Sequence, residues 1–311
     1  MGVSVVALAG GTGGAKLAAG LQEVVGDGLT VIANTGDDVE ALGVHVSPDP
    51  DLCTYWLTGL IDEERGWGIR GDAFTVFERL VELGAPDWFG LSDRDLATCL
   101  ERRRRLDAGE RLTPIASGLA FALGAEATVL PMCDEPVRTR VRTDAGWREF
   151  QQYLIQDGAG PAIEEVDFAG ISDARPSPEA EAAIEGAEAI VIGPSNPVIS
   201  IGPILAVPGM SALLAAAEAP VVAVSPFVAG EVIKGPTDKF MRAIGREPSA
   251  AGVASAYRGV IDGLVVDAAD PDPDPDEDGV ATTRLDTLMS DAPARRRVAE
   301  ATLGFATSLR D

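Results

Sequence analysis

The side chains of this chain that could do chemistry gather in a series of glycine- or proline-rich turns, each at the end of an apolar run. The first turn is Gly10-Gly11-Thr12-Gly13-Gly14-Ala15-Lys16. Glycines between a strand and a helix let backbone N–H groups approach a phosphate with no Cβ in the way, and Lys16 adds a positive charge one turn inside. It is not a Walker A loop, because Leu17 stands where the magnesium-binding hydroxyl belongs. The second turn, Asn34-Thr35-Gly36-Asp37-Asp38, offers an amide and carboxylates to the same edge. An acid here binds ribose in a dinucleotide fold, and an Asx turn with solvated aspartates is the plain alternative. The third, Ser47-Pro48-Asp49-Pro50-Asp51, sets two carboxylates in a proline-stiffened turn. Asp49 and Asp51 so placed suit Mg2+, which takes one or two carboxylates along with waters and substrate phosphates. Helix capping by Asp51 is compatible with that role. Gly193-Pro194-Ser195-Asn196-Pro197 and the following Ser200-Ile201-Gly202-Pro203-Ile204 supply a hydroxyl, an amide and backbone donors.

Lysine placement sharpens this picture. Lys16, Lys234 and Lys239 are the only lysines among 25 basic residues, and all three fall in glycine or proline loops near expected strand ends. In a chain that uses arginine nearly everywhere else, that placement favours anion binding over solvated surface. The run Arg102 to Arg105 reads instead as a helix face paired with local acids. Cys53, Cys99 and Cys133 are odd in number and widely spaced, which argues against a disulfide framework or structural zinc. His45 is the only histidine, so a zinc site with several histidine ligands is excluded, and its place beside a turn reads as structural.

The elements that must position these turns follow from periodicity. Val3 to Ala9 and Leu29 to Ala33 are short apolar runs on either side of an amphipathic helix carrying Leu17, Ala18, Leu21, Val24 and Val25, a βαβ unit that implies a parallel sheet. From Asp51 to about Leu123 the periodicity is helical, with pieces near 52–62, 72–83, 93–106 and 113–123 and with Asp72, Asp93 and Thr113 as N-caps. Strands resume at Ala127 to Met132, in a hairpin about Asp144-Ala145-Gly146, and at Ala189 to Ile192, Val221 to Val224 and Gly263 to Val266. A last helix is expected from Ala294 to Leu309. The fold class is therefore α/β, a Rossmann-like three-layer, doubly wound, mostly parallel sheet with a helical insertion. Residues 1–50 and 124–311 form the nucleotide-binding core and 51–123 the insertion. Ligands of open α/β sheets bind at the carboxyl edge, where all these turns lie.

Composition bounds the partners. The 311 residues include 49 acidic against 25 basic side chains, a formal net charge of −24. A field this negative repels nucleic acid and anionic membranes. Hydrophobic residues make up 46% of the chain, so the acid coats a real core. Few lysines and many acids suggest adaptation to a high-salt cytoplasm. The amino-terminal run has no basic region ahead of its glycines, and no segment reaches a membrane-spanning length, which points to a soluble cytoplasmic protein. Asp270 to Asp278, acidic and proline-rich, reads as a mobile surface loop.

Taken in order, Ala9 to Leu17, Asn34 to Asp38, Ser47-Pro48-Asp49, Leu130-Pro131-Met132, Gly193 to Pro197 and Ser200 to Leu205 resemble the 2-phospho-L-lactate transferase (CofD) family. Trp67-Gly68, Trp88-Phe89, Ser92-Asp93-Arg94-Asp95, Phe150-Gln151, Lys234-Gly235-Pro236 and Asp286-Thr287-Leu288-Met289 extend the likeness over nearly the whole chain. The resemblance implies an enzyme of coenzyme F420 biosynthesis, a homodimer acting on small molecules. It would move a 2-phospholactyl group from lactyl-2-diphospho-5'-guanosine to the ribityl hydroxyl of the deazaflavin Fo, giving F420-0 and GMP with Mg2+.

By that likeness Gly10, Gly11, Thr12, Gly13, Gly14, Lys16 and Asn34 serve the donor phosphates and nucleotide, and Asp49 and Asp51 the metal. Asp51 is the catalytic candidate and also contacts Fo, together with Gly90, Ser195 and Asn196. The sequence departs from the family at Cys99, where a histidine is usual, at Leu52-Cys53, where threonine usually follows the aspartate, and at Ser92, usually glycine. A second reading is the related gluconeogenesis-factor type of nucleotide-sugar-binding regulator. Its Asp-Asp-Gly-Gly-Ser-Ser-Gly stretch is replaced here by Asp37-Asp38-Val39-Glu40-Ala41, which favours the transferase.

Overall fold

The computed structural model describes residues 3–310. Strand β1 (Val5–Ala9) is buried along its whole length and runs straight into helix α1 (Gly11–Val25), after which β2 (Leu29–Ala33) pairs with β1 in parallel. The central sheet has seven strands, all parallel, in the order Ala281–Leu285, Gly263–Asp267, Val221–Val224, Ala189–Ile192, β1, β2, Thr128–Pro131. The chain builds outward from β1 on one side, then returns to the other side of β1 and builds outward again. That reversal opens a crevice between the carboxyl ends of β1 and Ala189–Ile192.

Alternation along each strand feeds two cores. Val6 and Leu8 of β1, with Ile32, Ile190 and Ile192, pack beneath one helical layer, while Val5, Ala7, Val31 and Val191 pack beneath the other. The first layer includes Ile184, Met210, Leu214, Phe240 and Val253; the second is built on Leu17, Ala18 and Leu21 of α1 and on Val298 and Ala299 of the last helix, Ala292–Ser308. Burial of each such valine, leucine or isoleucine stabilises the fold by about 1.5–3 kcal/mol. No helix among the described residues is long and apolar enough to cross a membrane.

The insertion between β2 and Thr128–Pro131 holds α2 (Pro48–Leu57), α3 (Thr75–Glu82), α4 (Asp93–Asp107) and α5 (Leu112–Ala122). Helix α2 starts four residues before the helix expected from the sequence. Pro48 and Pro50 occupy its first turn, where a missing N–H breaks no helical hydrogen bond, so Asp49 and Asp51 are helical residues and the expected boundary at residue 51 falls inside α2.

The expected caps also differ, since none of Asp72, Asp93 and Thr113 caps the helix it opens. Asp72 instead accepts the amides of Arg94 (2.8 Å) and Asp95 (3.3 Å) at the start of α4, while Asp93 accepts the amide of Val76 (3.0 Å) in the first turn of α3. Asp134 accepts the Thr113 amide of α5 at 2.7 Å.

Three smaller features were not expected. A ribbon of Val39–Ala41 and Val44–Val46 turns through Leu42 and Gly43, both at positive φ, and carries His45. The hairpin Arg138–Thr143 and Gly146–Glu149 gains a third strand, Glu165–Ala169. The acidic segment 270–278 leads into the seventh strand of the central sheet and is tied down. Arg284 donates to Asp274 at 2.6 Å and to the Asp270 carbonyl at 2.8 Å, and Arg258 pairs with Glu277 at 2.6 Å.

Candidate active site

The first glycine loop and the turn after Ala189–Ile192 touch directly across the crevice. A Cβ added to Gly13 would lie 2.0 Å from the Pro194 carbonyl oxygen, and one on Gly14 2.5 Å from Ser195 Oγ. Only glycine permits that approach, so part of the glycine content serves packing of two loops, and the rest leaves the first amides of α1 facing a cleft. The cleft encloses ≈ 390 Å³, and its walls include Gly10 to Gly13, Lys16, Asp49, Ser195 and Asn196.

Its acidic wall is built from the ends of β2 and the start of α2. Asp49 Oδ1 accepts the Gly11 amide at 2.7 Å and Oδ2 accepts Asn34 Nδ2 at 2.9 Å. Asn34 also donates to the Ile199 carbonyl at 3.3 Å and accepts the Gly36 amide at 2.8 Å, so it works as a tie behind the cleft. Burial pushes the Asp49 carboxyl up to about 6 against the pull of those hydrogen bonds. Asp37 stands beside it on the same cleft, with Oδ1 buried and without a partner among the described residues. Burial first, and then the charge of Asp49, hold Asp37 well above the usual carboxylate range.

The basic wall holds two lysines. Lys16 Nζ donates to the Met289 carbonyl at 3.1 Å and lies 5.4 Å from the Trp56 ring, whose other neighbour is the Arg295 guanidinium at 4.9 Å. Lys234 donates to Thr12 Oγ1 at 3.2 Å and to the Gly66 carbonyl at 3.4 Å. Both lie below the usual lysine range, first through burial and then through a neighbouring positive charge, Arg295 for Lys16 and Lys16 for Lys234. The α1 amides after Gly11, two lysines and two carboxylates held above their usual range therefore line one cleft at the switch point of the sheet.

The family profile described as 2-phospho-L-lactate transferase CofD matches residues 5–299. The chain belongs to the 2-phospho-L-lactate transferase family. It is a transferase enzyme. A phosphoenolpyruvate transferase of Kitasatospora aureofaciens is 41% identical over 316 residues, covering 98% of each chain. A 2-phospho-L-lactate transferase of Methanosarcina mazei is 39% identical over 298 residues, covering 95% of this chain and 98% of its own. A Bacillus halodurans protein of known structure superimposes with a TM-score of 0.64 at 20% identity, covering 97% of this chain and 100% of its own, a likeness of fold.

Within this family member, the residues singled out from sequence fall in three places. Gly10, Gly11, Thr12, Gly13, Lys16, Asp49, Ser195 and Asn196 line the cleft, with Gly14 packed below it and Asn34 behind it. Asp51 does not join Asp49. Two residues apart on a helix lie about 200° apart around its axis, and Asp51 instead pairs with the buried Arg102, which also donates to the His45 carbonyl at 3.1 Å. Asp51 Oδ2 remains buried without a partner among the described residues, and burial raises its carboxyl above the usual range although Arg102 opposes the shift.

Around that pair lie Asp95, which accepts from Tyr55 at 2.7 Å, and Cys99. Ligand atoms of Asp51, Asp95 and Cys99 fall within 4.8 Å of one another. Arg102 already supplies the countercharge there, and a buried thiol is a soft ligand, so the cluster does not suit a hard cation. His45 sits 2.8 Å from Asp38 and 3.1 Å from Glu40. Burial works against its charged form, but the hydrogen bond and charge of Asp38 outweigh it and raise its pKa.

Gly90 is in the third place, on the insertion, where an added Cβ would meet Phe74 at 3.8 Å and Trp67 at 3.9 Å. Two cleft groups carry weaker signals in the sequence. Asp37 reads equally as a solvated aspartate, although it is a carboxylate at a strand end beside a glycine loop. Lys234 is marked by the scarcity of lysine and by the Lys234-Gly235-Pro236 motif, neither of which places it against Thr12.

Proposed function

We propose that this enzyme moves a phosphorylated three-carbon acid, 2-phospholactyl or phosphoenolpyruvyl, from a guanosine-diphosphate-activated donor to the ribityl hydroxyl of Fo, releasing GMP. The observation that carries this reading is the cleft itself, where the α1 amides and two lysines face Asp37 and Asp49 across the switch point of the sheet. Anion-binding amides and cations hold the donor phosphates. The hydroxyl oxygen of the acceptor forms a bond to phosphorus, the bridging bond to GMP breaks, and the hydroxyl proton is released to water. Catalysis is then alignment and charge neutralisation.

Mg2+ fits the acidic wall. Asp37 offers a buried oxygen without a partner among the described residues, Asp49 lies beside it, and all the donors are oxygen, which a hard cation prefers. Asp37 therefore replaces Asp51 as the partner of Asp49 in this reading. When bound, the cation neutralises phosphate charge. Ser195 and Asn196 on the cleft and Gly90 on the insertion stay assigned to Fo, and Asp51, which lies off the cleft on Arg102, would reach the acceptor only through Oδ2, which has no partner among the described residues. Relatives named for phosphoenolpyruvate and for 2-phospho-L-lactate are similarly close, so both donors belong in the assay.

Fo binding followed by fluorescence in molar salt, with and without GDP and Mg2+, tests the reading. Fo binding that responds to GDP supports it. Binding of a UDP-sugar with no binding of Fo would replace it with the regulatory reading.

A further inference from the structure

Lys234 stands at a seam. Its ammonium touches Thr12 of the phosphate loop on one side and the Gly66 carbonyl of the insertion on the other. An ammonium has three N–H donors, and these neutral oxygens take two. Lys234 also lines the cleft, and the charge that perturbs it is that of another cation, Lys16. In a chain with 49 acidic side chains, no lysine takes part in an ion pair among the described residues. Lys16 and Lys234 are like charges lining one cleft, and an anion entering between them relieves their repulsion.

The insertion is shaped for this contact. Gly66 has φ +76, and a Cβ there would lie 2.4 Å from Lys234 Nζ, so the ammonium rests where a side chain would otherwise be. The next residue is Trp67, the ring beside Gly90 on the acceptor side. Lys16, by contrast, is drawn toward Met289 and Trp56.

We infer that Lys234 is a catalytic residue of the transfer step, holding the oxygens of the transferred phosphoryl group where the donor loop meets the acceptor-side insertion. This inference rests on the proposed transfer reaction. During transfer the acceptor oxygen bonds to phosphorus, the bridging oxygen leaves on GMP with the electron pair, and the hydroxyl proton goes to water. Lys234 keeps its proton throughout and donates its third N–H to a non-bridging oxygen whose charge changes as the bonds exchange.

The test compares wild type, Lys234→Met, Lys234→Arg and Gly66→Ala by steady-state kinetics with both donors, by calorimetric GDP binding, and by thermal melting. Lys234→Met is expected to lower kcat on the order of a hundredfold, while GDP affinity and melting temperature stay within a few-fold and a few degrees of wild type. Lys234→Arg regains part of the rate. Gly66→Ala, which displaces the ammonium without removing it, lowers kcat in the same direction. Wild-type kcat in Lys234→Met, or a raised donor KM with kcat unchanged, overturns the role of Lys234 alone. A wild type that neither binds GDP nor turns over either donor overturns the transfer reading as well.

Discussion

Asp49 and Asp51 are two positions apart in sequence and belong to different chemical settings, one on the cleft and one on Arg102. Their substitutions should therefore separate. Asp51→Asn leaves Arg102 buried without its countercharge, which costs about 3–5 kcal/mol, read by denaturant titration. If Asp51 Oδ2 also orients the acceptor, turnover of the folded fraction falls roughly a hundredfold; wild-type turnover with only the stability loss removes Asp51 from the reaction.

Asp37→Asn takes a ligand from the proposed metal position and should weaken Mg2+ binding with little loss of fold. Because Asp49 is pushed up to about 6, the deprotonated pair that binds the cation is lost as pH falls below that value. Mg2+ affinity measured at pH 5.5 should be weaker than at pH 8, and equal affinities would exclude Asp49 as a ligand. Lys16→Ala should weaken GDP binding by about 1.5–3 kcal/mol, roughly ten- to a hundredfold in Kd, and leave Fo binding intact. Equal donor affinity in both proteins would free Lys16 from the phosphates.

At the scale of elements, the contact of two glycines with the turn at Pro194 makes the glycine loop part of the sheet's packing. Gly13→Ala would drive a methyl into a backbone carbonyl and should cost roughly 1–3 kcal/mol, visible as a lower melting temperature together with weaker GDP binding. An unchanged melting temperature would mean that the two loops separate freely.

This level also shows what could be read from sequence. The strands at Ala189–Ile192 and Val221–Val224 announce themselves as β-branched runs ending in polar turns, because both of their faces are buried. The start of α2 was not legible in the same way, since Pro48 and Pro50 read equally as a turn, and that shift of four residues decided which acid faces the cleft. The seventh strand was missed because Ala-Thr-Thr-Arg-Leu is only partly buried and lies at the sheet edge. The pairing of Asp51 with Arg102 joins positions 51 residues apart, a distance that local pattern does not report.

For the whole molecule, charge dominates the expected solution behaviour. A formal net charge of −24 makes the folded state repel itself, so melting temperature should rise steeply from millimolar to molar salt. Equal stability in both would refute adaptation to high salt.

The pH dependence has a defined sign. Asp49 and Asp95 are raised by burial to about 6 in the folded chain, against about 3.9 for an unfolded aspartate. The folded state thus binds more protons through that window, and stability falls as pH rises across it. His45, raised by Asp38, contributes in the same direction, its stabilisation being lost as pH rises through its folded value. Melting in molar salt should accordingly occur at a higher temperature at pH 5.5 than at pH 7.5. The reverse order would show that these acids are relieved by partners the fold supplies only at neutral pH.

The exchanged caps of α3 and α4 bear on how this corner of the insertion unfolds. Helix α3 buries none of its residues, yet its first turn is clasped by Asp93 of α4, and the first turn of α4 is clasped by Asp72 ahead of α3. Neither end can fray without releasing the other. The amides of Val76 and Arg94 should then exchange with deuterium at a single shared rate, and a protease should find the α3 segment cut-resistant until the whole corner lets go in one event.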